Sequence, residues 1–195
     1  VFNVAVREAG LEVSKPFSRV ILSSARQGVQ RSPMVIDDIR EVQQLCYQKD
    51  DNIRWLIALL SNTGMRLAEA CGLVKQALHL NGEIPFIRLC GHQWRRLKTT
   101  GSQRDIPIVG ASLWAAQRAS ENTKTQFLFP RYCNEEGCKA DHASNALNKW
   151  LKPLVPSGCV VQSFRHSMRN IFRAVGCLPF PTPCCARDTR MFRHH

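Results

Sequence analysis

The stretch over 52–63 constrains the fold most, because its apolar residues recur three or four positions apart, as on one face of an α-helix. The recurring residues are Ile53, Leu56, Ile57 and Leu60. Gly64 follows directly and suits the left-handed turn that ends many helices. The pattern predicts a helix over 52–63 and a short second helix from about Leu67.

Other segments predict more helices and a small sheet. Asp37 and Asp38 form a good helix start, with Ile39, Val42 and either Leu45 or Cys46 following on one face. Further helices are expected near 111–120, 141–151 and 163–175, and strands over 84–89 and 106–109. The predicted fold class is therefore mainly α with a small antiparallel β-sheet.

The domain organisation follows from where these patterns begin and stop. Residues 1–31 lack the apolar surface for a core of their own and read as the end of a preceding domain plus a linker. Residues 32–177 carry the main domain. The tail over 178–195 contains Pro179, Pro181 and Pro183, and proline disfavours a helix interior, so an irregular tail is expected.

The charge balance points to a polyanionic partner. The chain has 27 lysines and arginines against 15 acidic residues, a formal net charge of +12. Nucleic acid is the first expectation and an anionic membrane surface the second. The longest apolar run, Trp55 to Leu60, is far too short to span a bilayer, so no membrane-spanning helix is expected.

Among the nine cysteines, four stand singly in apolar or mixed segments and suggest a reduced, cytoplasmic protein with buried thiols and no disulfide framework: Cys46, Cys71, Cys90 and Cys159. One alternative is a metal site, because Cys133, Cys138 and His142 lie close in sequence and are zinc-ligand types. Their spacing is loose and no fourth ligand is evident, so no metal is expected.

Three basic elements stand out. Arg66 follows the predicted glycine stop, with Glu69 one helical turn on and able to orient its guanidinium. Lys98 lies in a basic stretch between the two predicted strands. Arg165 and Arg169 are four residues apart on one predicted helix face, an arrangement that favours a bound anion. Taken singly, each element also fits an ordinary solvated charge.

Together, these elements resemble the catalytic domain of the tyrosine recombinases, also called phage integrases. The matching segments are TGMRLAEACGL over 63–73, LKTTGSQRDIPI over 97–108 and SFRHSMRN over 163–170. The resemblance covers about 32–177. It implies site-specific DNA recombination or integration by a protein of a mobile genetic element, in bacterial or phage-type cytoplasm, with double-stranded DNA as partner and no cofactor.

The resemblance also implies individual roles. Arg66 and Arg165 would bind the scissile phosphate, where bidentate guanidinium donors meet the charge of the transition state without a metal. Lys98 would act as general acid on the leaving 5′ oxygen. Additional DNA contacts are expected from the remaining basic residues of the hairpin and the last helix: Arg95, Arg96, Arg104 and Arg169.

Two departures from the family pattern matter. Gln162 stands where the family has histidine or lysine, and an amide transfers no proton at neutral pH. A shifted register through His166 and Arg169 would restore the spacing, but Arg165 better matches the flanking residues. The chain has only Tyr47 and Tyr132, both before Arg165, so the nucleophilic tyrosine is absent from its expected position.

We therefore expect a DNA-binding remnant of a recombinase, truncated or frameshifted near Cys177. One alternative is a recombinase active only when a full-length homologous protomer supplies the tyrosine. Another is a regulatory DNA-binding module that occupies sites without cutting them.

Overall fold

The computed structural model describes residues 32–95, 97 and 102–176, and these form six α-helices, one 3₁₀ helix and five short strands. The helices are α1 (Ile36–Lys49), α2 (Asn52–Thr63), α3 (Leu67–Cys71), α4 (Ala111–Asn122), α5 (Ala140–Leu151) and α6 (Ser163–Ala174), and the 3₁₀ helix spans Lys75–Ala77. The strands are β1 (Leu78–His79), β2 (Phe86–Leu89), β3 (Arg104–Pro107), β4 (Cys133–Asn134) and β5 (Gly137–Cys138). The expectations for residues 1–31, for Arg96 and Lys98, and for the tail from 178 lie outside the described residues.

Helix α2 lies in the core and packs against α1, α4 and α6. Asp51 caps its N-terminus, and the Asp51 carboxylate accepts hydrogen bonds from the backbone N–H groups of Ile53 and Arg54, each at 3.1 Å. It ends at Gly64, which has a φ of 58° in the left-handed region. Both ends lie where the sequence predicted them, because local capping chemistry determines them.

Two of the neighbouring helices present small or regularly spaced apolar residues to the core. Helix α1 buries Ile39, Val42 and Cys46, the predicted face. Helix α4 buries four alanines, which let its backbone approach α2 closely: Ala111, Ala115, Ala116 and Ala119. The predicted helices near 111–120, 141–151 and 163–175 are confirmed within two residues at each end. No helix in the described ranges is long and apolar enough to cross a membrane.

The three-stranded sheet is antiparallel, with β2 between β1 and β3. Ile87 pairs with Ile106, and both face the core. The strands start two residues away from the predicted positions, and β1 and the 3₁₀ helix were not predicted because each is too short to show a period. The predicted fold class, mainly α with a small antiparallel sheet, is confirmed.

A second hairpin corrects the expectation about cysteines. Strands β4 and β5 place Cys133 directly opposite Cys138, and the two sulfurs form a disulfide. The sequence did not indicate this pairing, because it depends on the hairpin register. Three other cysteines are free and buried, as expected, namely Cys46, Cys71 and Cys159, whereas Cys90 is free but only partly buried, contrary to expectation. Within the described part of the chain, no three histidine, cysteine or acidic side chains are grouped as metal ligands.

Candidate functional site

The site is built around the carboxylate of Glu69, in the first turn of α3. One oxygen accepts the Arg66 backbone N–H at 2.9 Å, and the other accepts Arg66 Nη1 at 2.7 Å. The Glu69 side chain is only 5 % exposed, whereas that of Arg66 is 38 % exposed. Glu69 therefore orients the Arg66 guanidinium, as the sequence suggested, and leaves part of it facing solvent.

Strand β3 contributes a second arginine to the same carboxylate. Arg104 Nη2 donates to Glu69 Oε2 at 2.9 Å, and Arg104 Nη1 donates to the carbonyl of Ser102 at 2.8 Å. Burial by itself would raise the pKa of Glu69, but the hydrogen bonds from Arg104 and from Arg66 outweigh it and hold that pKa below its ordinary value. Glu69 is thus a buried, ionised carboxylate that ties the sheet to α3.

Helix α6 brings Arg165 to the turn that precedes Arg66. Arg165 Nη1 donates to the carbonyl oxygen of Gly64 at 2.6 Å. Burial lowers the pKa of Arg165, and the charge of nearby Arg66 lowers it further. Two arginines that are separated by 99 positions in sequence therefore converge on one turn of the backbone.

The charges around this turn are predominantly positive. Arg104 and Arg169 also lower the pKa of Arg165, and the single carboxylate of Glu69 opposes them. The arrangement therefore carries more positive than negative charge, and a guanidinium group donates to phosphate in bidentate fashion. A bound anion next to Arg66 and Arg165 would relieve their repulsion.

Arg95, which the sequence predicted as a DNA contact, is buried in the structure. Arg95 is only 4 % exposed. Its Nη1 donates to the backbone carbonyl of Glu69 at 2.7 Å, and its Nη2 donates to the carbonyl of Cys90. The sequence did not indicate that Arg95 is buried, because residues distant in sequence pack around its guanidinium.

The other predicted residues fall into three groups. Arg104 is directed inward to Glu69, with a side chain only 15 % exposed. Arg169 is exposed one turn after Arg165 on α6, and Gln162 is half-buried just before that helix. Arg96 and Lys98 lie outside the described residues. The second motif allows two registers, one through Gln162 and Arg165 and a shifted one through His166 and Arg169. Arg165 is the arginine that lies near Arg66, and His166 is exposed.

The two tyrosines differ in exposure, because Tyr132 is buried and Tyr47 is 36 % exposed. The Tyr132 side chain is 3 % exposed, and burial raises the pKa of its phenol. Tyr47 packs edge-on against Trp114 of α4, and burial raises its pKa as well. A raised pKa is the reverse of what activates a phenol for attack.

Sequence reasoning missed two parts of this site. One is the Gly64 carbonyl as the acceptor for Arg165, and the other is the ion pair between Arg104 and Glu69. Both are long-range contacts, so no local spacing indicates them.

Solved structures of DNA recombinases share this fold. A Tn1549 transposon integrase (residues 82–397) in complex with circular intermediate DNA aligns with 91 % of this chain at a TM-score of 0.59 and 18 % identity. XerA recombinase aligns with 90 % at a TM-score of 0.55 and 14 % identity, and XerH site-specific recombinase, bound to difH substrate in a pre-cleavage complex, aligns with 73 % at a TM-score of 0.53 and 16 % identity.

The chain spans 64 % of the length of the Tn1549 integrase structure, 59 % of XerA and 44 % of XerH. No protein-family model and no curated protein sequence matches it. The similarity therefore establishes the fold, which is the one that the motifs predicted.

Proposed function

We propose, from the tyrosine-recombinase fold of this chain, that Arg66 and Arg165 bind one phosphate of double-stranded DNA. The observation that carries the proposal is their convergence on the turn at Gly64, where a buried, ionised Glu69 binds Arg66. The proposed biological process is site-specific recombination or integration of DNA, in which a strand is cut and rejoined at such a phosphate.

The chemistry explains why two arginines serve this reaction. When a phenol attacks a phosphodiester, negative charge accumulates on the two non-bridging oxygens. Fixed guanidinium groups stabilise this charge better than mobile water does, because they are already oriented before the reaction. The resemblance gives Lys98 the role of protonating the leaving 5′ oxygen. The link between enzyme and DNA conserves the energy of the broken bond, so rejoining requires no nucleotide cofactor.

The sequence supports binding without cutting by this chain alone. Residues 166–195 contain no tyrosine, and Gln162 stands where the family has a proton-transferring side chain. Tyr132 is buried, and Tyr47 is exposed but packs edge-on against Trp114, more than 100 positions before Arg165. The proposed state is a DNA complex held by charge, with full-length homologous protomers as the alternative source of a tyrosine.

A nicked suicide DNA substrate tests this proposal. The chain is incubated with the substrate, and protein–DNA adducts are separated on a denaturing gel while binding is followed by fluorescence anisotropy. We expect salt-sensitive binding and no adduct. An adduct mapped to Tyr47, Tyr132 or the tail from 178 would refute the proposal. An adduct that forms only after a full-length homologue is added would identify the partner protomer as the source of the tyrosine.

A further inference from the structure

We propose that Arg95 is a positioning residue that holds the end of β2 against α3, so that the basic hairpin is set relative to Arg66. The inference rests on the DNA-binding function proposed above, and it gives Arg95 a role other than the expected DNA contact.

The contacts of the Arg95 guanidinium join two separate elements. Nη1 donates to the carbonyl of Glu69 in α3, and Nη2 donates to the carbonyl of Cys90, directly after β2. The forked geometry of a guanidinium suits two carbonyl acceptors at once, which a lysine ammonium on its single flexible stem matches less well. Arg95 therefore fastens the sheet to the residue whose side chain orients Arg66.

The backbone before Arg95 is folded into a tight turn that supports this contact. The His92 and Arg95 backbones exchange two hydrogen bonds, at 3.0 and 3.1 Å. Within the turn, Trp94 packs edge-on against Phe127, and its Nε1 donates to the carbonyl of Gly72 at 3.3 Å. Arg95 and Trp94 thus hold the turn against the end of α3 from two directions.

Gly72 makes this close approach possible. A Cβ added there would lie 2.7 Å from Arg95 Cδ and 2.9 Å from Cys138 Sγ, both well inside van der Waals contact. The disulfide and the arginine stem therefore both occupy the space that a side chain at position 72 would need. Gly91, in the same connection, offers a contrast, because an added Cβ would meet no atom within 4 Å.

We call the two hydrogen bonds from Arg95 to Glu69 and Cys90 the anchor, and it affects both strands of the hairpin. Strand β3 is tied to the Glu69 carboxylate by Arg104, and β2 is tied to the Glu69 carbonyl by Arg95. Both strands that flank the basic stretch are thus fastened to the same residue. Lys98 follows Arg95 by three positions in sequence, so we expect loss of the anchor to reduce its contribution to DNA binding.

A double-mutant cycle on duplex DNA affinity separates positioning from direct contact. If Arg95 positions the hairpin, Lys98→Ala causes a smaller loss of affinity in the Arg95→Met background than in the wild type. The two fold-losses of affinity should differ by a factor of about three or more. Arg66→Ala retains its full effect in both backgrounds. Arg95→Lys is expected to restore part of the affinity. Strict additivity of Arg95→Met with Lys98→Ala, together with a reduced salt slope, would show a direct contact and overturn the proposal.

A charge-neutral variant gives an independent test. The Cβ added in Gly72→Ala collides with the Arg95 stem and with Cys138 Sγ but removes no charged group, so it should weaken DNA binding and leave the number of neutralised phosphates unchanged. The dependence of affinity on salt reports that number. Gly91→Ala is the matched control and should leave affinity unchanged. Equal affinities for Gly72→Ala and Gly91→Ala would refute the anchor.

Amide hydrogen exchange without DNA keeps this inference separate from the proposed function. Arg95→Met and Gly72→Ala should speed exchange in the His92–Arg95 turn and leave α1 and α4 protected. If exchange in the turn is faster in these variants but the wild type does not bind DNA, the anchor is confirmed and the proposed function is refuted. Unchanged exchange in the turn, or faster exchange throughout the chain, would refute positioning by Arg95.

Discussion

Replacing Glu69 with glutamine removes one negative charge from a buried site and leaves the side chain almost unchanged in size. In the wild type the carboxylate receives hydrogen bonds from Arg66 Nη1 at 2.7 Å, from the Arg66 N–H at 2.9 Å and from Arg104 Nη2 at 2.9 Å. Removing one partner of a buried ion pair costs about 3–5 kcal/mol. Arg66 is partly solvated and glutamine keeps one acceptor, so we expect the lower end, about 3 kcal/mol.

The pH dependence of this loss identifies the carboxylate as its origin. The pKa of Glu69 is lowered in the folded protein, so its contribution to the free energy of unfolding is present above the ordinary glutamate pKa. That contribution disappears as the pH falls through the lowered value. The stability difference between wild type and Glu69→Gln should therefore be full at neutral pH and shrink in acid.

Urea denaturation followed by circular dichroism measures both quantities. The exposed Glu41, on α1, provides the control, and Glu41→Gln should change the free energy of unfolding by less than about 0.5 kcal/mol. The reasoning is refuted if Glu69→Gln also stays below about 1 kcal/mol, or if its effect is the same at every pH.

Three other substitutions test the structural framework of the site. Gly64→Ala places a Cβ on a residue with a φ of 58° and should lower the free energy of unfolding by about 1–2 kcal/mol; no loss in urea denaturation would contradict the left-handed turn. Asp51→Ala removes the cap of α2 and should lower the free energy of unfolding by about 1 kcal/mol in the same assay; an unchanged free energy of unfolding would contradict the cap. Leu147→Ala opens a cavity at a fully buried position and should cost about 2–5 kcal/mol; a melting temperature within a degree of wild type would contradict its place in the core.

The helices of this fold could be predicted from sequence because their signals are local. In α2, the apolar period, the Asp51 cap and the Gly64 stop all lie within the helix or beside it. The short elements could not be predicted in the same way. Strand β1 has two residues, and its pairing with Phe86 and Ile87 depends on the sheet that forms around it.

The site was predictable in composition but not in arrangement. The motifs identified Arg66 and Arg165, yet their meeting at Gly64 depends on how α6 packs against α2. Arg95 shows the limit most clearly, since its position in a basic run suggested solvent exposure. Its burial requires a close approach over Gly72 that only the folded chain reveals.

The shared phosphate is tested most directly by the salt dependence of duplex DNA affinity for wild type, Arg66→Ala, Arg165→Ala and the double variant. The plot of log affinity against log salt has a negative slope, and its magnitude decreases by about 0.9 for each phosphate that the protein no longer neutralises. If both arginines bind one phosphate, each single variant weakens binding, and the double variant lowers the slope by about 0.9 in total. A decrease of about 1.8 would place them on two phosphates, and an unchanged slope would exclude both from the DNA interface.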